Sequence, residues 1–481
     1  MNNTKNIINQ KINTIKATQL LFYSFPVSFI IGNLIVTLNL LIFIAISLFL
    51  IKKEKLNFRF SSSNWFLIAF FSYLFISTLI QFQVDGPLQN RAQHWSFEEN
   101  PIFKSLMLFR FVILLFLIDT LFFNKILNLK KFFLSSLICT SFVSLDIIFQ
   151  YIVGFDIFGY KSLGDRNSGP FNDEWIAGSY LYKFSFFSFF YIYQLNKINN
   201  KNKLFLILVI AIHTSAIFLA GNRMPLLLYF LTIFIIVLFV KDLRTIAVAG
   251  VLAFLSIFIA LEKLEIGKDY EYKLTDTYTY LYKEVNFLGK KLINKKSKTK
   301  IDEDTQDPFD SIKKDSANKL LFRTGHRAIY LTSIDLWKEK PWIGYGLKSF
   351  RIMCYQVIAK DYGRVFKPEV EMEFKNVDRM CSNHSHNYYL ELLVETGLIG
   401  AALMIFYFLI LLKKIYSFLR KNFIANDSSN YLLIPIMIIF FVEIWPLRST
   451  GSFFTTGNAT FFWLIVGMLM NMQSKKNNIL S

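Results

Sequence analysis

Residues 24–55, "SFPVSFIIGNLIVTLNLLIFIAISLFLIKKEK", can be read as part of one long apolar helix or as the meeting of two short spans in a hairpin. Apolar runs at about 17–32 and 34–51 are separated only by Gly32 and Asn33. Lys5, Lys11 and Lys16 precede them and the basic "KKEK" of Lys52–Lys55 follows. Basic clusters flanking membrane spans belong on the cytoplasmic side, so the chain crosses an even number of times between these two. A tight helical hairpin satisfies that parity, and the basic N-terminal segment, followed by no small-residue cleavage site, is expected to stay as an anchor.

Composition agrees with a membrane setting. The 481 residues are 54% hydrophobic and 17% aromatic, with a formal charge of +19. The apolar share exceeds that of ordinary soluble domains. The basic residues fall in short clusters between apolar runs, which argues against nucleic-acid binding.

Runs near the roughly 20 residues needed to span a bilayer recur at about 64–82, 103–123, 132–153, 177–195, 204–220, 224–240, 245–261, 388–412, 430–446 and 457–472. With the hairpin they predict an all-α polytopic integral membrane protein of about twelve transmembrane helices. The basic stretches 124–131, 196–203, 241–244, 413–421 and 474–476 then all fall on the cytoplasmic side.

The opposite face receives one long loop between the ninth and tenth helices. The expected division is therefore an N-terminal membrane part at 1–261, an outer loop at 262–387 and a C-terminal membrane part at 388–481. Within the loop, the Lys- and Asp-rich stretch at about 288–320 reads as flexible and solvated. An ordered amphipathic helix is expected at about 324–340, with Thr324 as N-cap and Pro341 as its stop.

Several residues could carry chemistry on that face. Arg223 in "LAGNRMPLLLYF" sits in a tight turn, where it reads as an anion clamp or as an arginine reaching the headgroups. Arg323, His326 and Arg327 cluster at a helix start, where an anionic partner would offset their conflict with the macrodipole; a solvated face is the alternative. Arg166 and Arg448 lie in other outer loops. Arg110, Asp119, Asp146, His213 and Glu443 fall inside apolar runs, where ionisable groups are functional or mutually paired. Cys354 and Cys381 both fall in the long loop and are the disulfide candidates if the compartment is oxidising. "GYGLKS" at 344–349 lacks the spacing of a P-loop and the strand context of a dinucleotide fingerprint.

Two of the chain's five histidines, His384 and His386, sit in "RMCSNHSHNYYLELLVETG" at 379–397. No HExxH or CxxC pattern accompanies them, so acid–base chemistry is preferred to metal binding.

An Arg in a tight turn between helices, a long loop, an Arg opening a helix that ends in Pro and a G-x-G turn, then "HSHNYYLELLVETGLIG": this order resembles the O-antigen ligase and O-antigen polymerase superfamily. "DIIFQYIVGFDIFGY", "GPFNDEWIAGSYL" and "WPLRSTGSFF" extend the resemblance over nearly the whole chain. It implies a metal-independent, inverting membrane glycosyltransferase of GT-C type, without cofactor, in the bacterial inner membrane with its site facing the periplasm. The implied donor is an undecaprenyl-diphosphate-linked glycan. The implied acceptor is the lipid A core for a ligase or a second lipid-linked glycan for a polymerase; a transporter or flippase is the more distant alternative.

Carried over by position, the resemblance assigns catalysis to His386, Arg223 and Arg327. His384, Arg323, Arg166 and Arg448 are expected to bind substrate. Tyr330 stands where relatives often carry Trp, and His384 is an added imidazole.

Overall fold

The structure is a computed structural model that describes residues 2–84, 88, 100–162, 166–195, 200–263, 325–362, 379–425, 431–449 and 451–477. Arg323, Thr324 and the stretch 288–320 lie outside these residues.

The described residues are almost all helical, and the only strand-like pairing among them is the isolated bridge between Phe155 and Lys161. In chain order the helices are α1 Asn2–Tyr23, α2 Phe25–Ile31, α3 Asn33–Glu54, α4 Asn64–Val84, α5 Pro101–Met107, α6 Arg110–Phe123, α7 Leu129–Val153 and α8 Ala177–Leu195. They continue with α9 Asn200–Leu219, α10 Arg223–Phe239, α11 Lys241–Lys263, α12 Gly325–Glu339, α13 Phe350–Tyr362, α14 Tyr388–Ala425, α15 Ile434–Glu443 and α16 Thr456–Asn477. Five of these segments are long and apolar enough to cross a membrane, and a sixth if the bent pair α1–α2 counts as one span. Shorter apolar helices lie at Lys203–Leu219, Arg223–Phe239, Ile434–Glu443 and Thr456–Met470.

The opening hairpin forms, with its first arm broken. Ile12–Tyr23 and Phe25–Ile31 meet at 51°, because Pro26 in the first turn of α2 has no N–H to continue the ladder of α1. Gly32, at φ +130°, then turns the chain into α3. Both α1 and α2 pack on α3. Leu40, Phe43 and Leu50 face inward while Leu34, Leu41 and Phe49 stay exposed, as suits a helix with lipid on one side.

The run expected as one span at 103–123 is continuous over Pro101–Phe123, with Leu108 and Phe109 forming a tightened turn of helical dihedrals between α5 and α6. At the centre of the bundle Trp463 packs its indole on Phe71, Phe111 and Tyr407, tying α16 to α4, α6 and α14.

The charged residues inside the apolar runs find partners. Asp119 lies 3.5 Å from Arg59, Asp146 accepts from the backbone of Ile157 at 2.9 Å, and His213 Nδ1 lies 2.6 Å from the Val209 carbonyl. Arg110 reaches the Thr456 hydroxyl at 3.5 Å.

Helix α14 is interrupted at Gly397, whose φ of 61° and ψ of −168° are not helical. The turn after α12 fills this gap with its own backbone. Tyr345 and Gly346 donate to the carbonyls of Val394 and Glu395, each at 2.9 Å, and Leu398 and Ile399 donate to Pro341 at 2.8 Å and Trp342 at 3.2 Å. Four main-chain bonds therefore join the turn to the helix, which is what the G-x-G motif serves. The approach is close enough that a Cβ on Gly397 would sit 2.3 Å from the Trp342 carbonyl, and one on Gly344 2.6 Å from the Gly397 nitrogen.

Replacing Gly397 by Ala should add about 1–3 kcal/mol of backbone strain, with steric overlap on top. A thermal melt of the purified protein in detergent should show a large loss of stability, and an unchanged melting temperature would refute this joint.

Candidate active site

The site is built at the start of α14. His386 takes a left-handed conformation, φ +52°, which redirects the incoming chain immediately before the helix. Asn387 then caps it: the Oδ1 accepts from Tyr389 at 3.0 Å and Leu390 at 3.2 Å. Its amide donates to the carbonyls of Pro446 at 2.9 Å and Arg448 at 3.1 Å. Tyr389 donates its hydroxyl proton to the Ile444 carbonyl, and Phe453 donates its N–H to Glu391 at 2.6 Å. One face of the first turns is thus stitched to the loop 444–453.

The segment leading into His386 is laid across α12. Cys354 in α13 is bridged to Cys381, with Cα atoms 5.6 Å apart, Arg379 pairs with Asp335, and Met380 donates to the Thr332 hydroxyl at 3.1 Å. Tyr330 reaches the His386 carbonyl at 3.4 Å.

Three imidazoles meet as a result. The rings of His384 and His386 lie 4.1 Å apart, centre to centre, and His326 from α12 stands at 66° to His386 at 4.9 Å. The Nε2 of His386 is 3.0 Å from the Ser382 hydroxyl. The Ser449 hydroxyl lies 3.2 Å from Nδ1 and 3.3 Å from Nε2 of His326. Partial burial lowers the pKa of His326 from its usual 6.5 and so favours the neutral imidazole. Among the described residues no group of three His, Cys, Asp or Glu side chains is arranged to hold a metal ion.

Arg448 is turned inward. Its Nη1 lies 3.1 Å from Glu443 and donates to the Glu443 carbonyl at 2.9 Å. Its Nη2 lies 3.0 Å from the Tyr182 hydroxyl, which donates to the same carboxylate. The guanidinium lies over the Tyr388 ring, 4.9 Å from its centre.

Arg223 is the first residue of α10 and is exposed. Next to it, Asn222 accepts from Gly178 at 3.3 Å and donates to the Trp175 carbonyl at 3.2 Å. Arg166 stacks on Trp175 at 4.0 Å. A chain of contacts puts these residues and the histidines at one end of the bundle: Asn222 to Gly178 at the start of α8, Tyr182 one turn on to Glu443 and Arg448, and Asn387 to the Arg448 carbonyl. Arg327, one residue after His326, is also exposed.

In the sequence His326 lies in a basic cluster with nothing to link it to the other two histidines, and no local pattern marks Ser382 or Ser449. The signal for His326 was the rarity of histidine. Three of the chain's five meet here, although 60 positions separate His326 from His386.

Residues 205–405 match the family model described as O-antigen ligase. The matched region runs from α9 to α14 and includes Arg223, Arg327, His384 and His386. The match and the apolar helices together support membership of the O-antigen ligase superfamily, a multi-pass bacterial membrane protein and an O-antigen ligase or polymerase type of function. No curated protein matches the sequence.

Glu443→Ala leaves the Arg448 charge buried without its carboxylate, which should cost about 3–5 kcal/mol and appear as a lowered unfolding midpoint in detergent. For His326, the unfolded chain takes up its proton first as pH falls below about 6.5. Its contribution to stability is therefore complete above that value and declines below it. An NMR titration of the imidazole should give a midpoint under that of a free histidine.

Proposed function

We propose that the protein transfers a glycan from undecaprenyl diphosphate to a sugar hydroxyl of the lipid A core at the periplasmic face of the bacterial inner membrane. The observation that carries this reading is the His386 imidazole, whose Nε2 rests at hydrogen-bonding distance from a hydroxyl, 3.0 Å from Ser382 Oγ. That is the reach a general base needs toward the hydroxyl it deprotonates. The membrane arrangement that suits this reading has twelve crossings. In it the segments 1–261 and 388–481 are the membrane parts and 262–387 is the periplasmic loop between them.

In this scheme the acceptor oxygen attacks the anomeric carbon while His386 takes its proton, and the bond from that carbon to the diphosphate oxygen breaks. A single displacement of this kind inverts the carbon. The departing diphosphate is already a weak base and needs charge compensation more than a proton. Arg223 and Arg327 provide it, because a guanidinium stays charged and presents a fork of donors to phosphate oxygens. No metal is required by this division of labour.

Arg166, Arg323 and His384 bind substrate around that centre. Arg448 acts from below, fixing the loop whose carbonyls hold Asn387.

Reconstituted protein supplied with a lipid-linked glycan and lipid A core should transfer the glycan. His386→Ala should lose about 100- to 10,000-fold of that rate, and Arg223→Ala and Arg327→Ala about 100- to 1,000-fold each. Normal transfer by these variants would sink the scheme. Consumption of a second lipid-linked unit in place of lipid A core would make the enzyme a polymerase working through the same site.

A further inference from the structure

We infer that His326 and Ser449 form a binding subsite for the acceptor, taking a pair of neighbouring sugar hydroxyls beside the one that reacts. This inference rests on the transferase reading above and adds a substrate contact to it.

His326 is partly exposed and stands edge-on to His386 at 4.9 Å. A sugar whose reactive hydroxyl meets His386 therefore brings its next hydroxyls within range of His326. Successive residues on a helix point about 100° apart. His326 and Arg327 at the opening of α12 consequently address different sides of the site, which suits one to the acceptor and the other to the diphosphate.

The chemistry of the pair is also that of a diol receptor. A neutral imidazole presents one donor and one acceptor, and a serine hydroxyl can do both. Ser449 Oγ lies almost equally far from the two ring nitrogens, 3.2 and 3.3 Å. It can engage only one of them well at a time, so the second nitrogen is available to a ligand hydroxyl. A protonated imidazole would offer two donors and no acceptor, and partial burial disfavours that form.

The two groups are held from different directions. Ser449 follows Arg448, which is anchored on Glu443 and Tyr182, and His326 is carried by the helix that the Cys381 segment crosses. The spacing between hydroxyl and imidazole is therefore set by the fold before any sugar arrives.

The test uses the full-length chain in lipid nanodiscs with a lipid-linked glycan donor. Lipid A core and a second lipid-linked glycan are each offered as acceptor, so that the source of the diol is identified by which KM responds. His326→Ala should raise the acceptor KM about tenfold, leaving the donor KM, kcat and the slow acceptor-independent hydrolysis of the donor close to wild type. His326→Gln, which keeps a donor and an acceptor, should recover part of the loss, and Ser449→Ala should show a smaller rise. An unchanged acceptor KM, or a rise confined to the donor KM, would overturn the subsite. A general loss of kcat and hydrolysis in both His326 variants would also overturn it. His386→Ala serves as the control on the parent reading: if it transfers normally, the transferase scheme itself has failed. If it is inactive while His326→Ala keeps its acceptor KM, only the subsite is lost.

Discussion

The buried triad of Tyr182, Glu443 and Arg448 is the constraint on which the site end of the molecule depends. A guanidinium at 5% exposure is tolerable only because a carboxylate, a hydroxyl and two main-chain carbonyls surround it. Meeting that demand fixes three elements at once: the end of α15, the second turn of α8, and the loop that follows Glu443. The loop's carbonyls at Pro446 and Arg448 then present themselves to Asn387, so the residue after His386 is placed by a charge pair it does not touch.

A second device works from the other side. The broken α14 accepts the backbone of the turn 341–346 in its gap at Gly397, which packs α12 and α13 against α14. The disulfide and the Arg379–Asp335 pair then draw the segment carrying His384 and His386 across α12. The imidazole cluster forms where these two systems meet, with His326 arriving on the helix and His386 on the loop.

Much of this was legible in the sequence, for identifiable reasons. Basic clusters around residues 16 and 52 pointed to a turn between two apolar arms, and the chain turns at Gly32 so that α1 and α2 pack on α3. Pro341 marked the end of α12, since proline cannot continue a helix. His384 and His386 stood out because they are adjacent in the chain. What stayed hidden was long-range. Tyr182 and Glu443 are 261 positions apart, and nothing local announces their meeting. Arg448 looked like a substrate ligand because an arginine in a loop gives no sign of facing inward. The break at Gly397 was also hidden, since its cause lies in the distant turn that enters it, and the gathering of His326 with Ser449 needed the fold.

The joint at Gly397 has a consequence for how such a protein can vary. Its four bonds are all between main-chain atoms, so they hold whatever side chains flank them, provided Gly344 and Gly397 keep their close approach. A lineage can therefore redraw the surface around the joint by ordinary substitution without altering how α12 and α13 dock on α14. Variety of surface and constancy of scaffold become compatible through two residues that have no side chain to mutate freely.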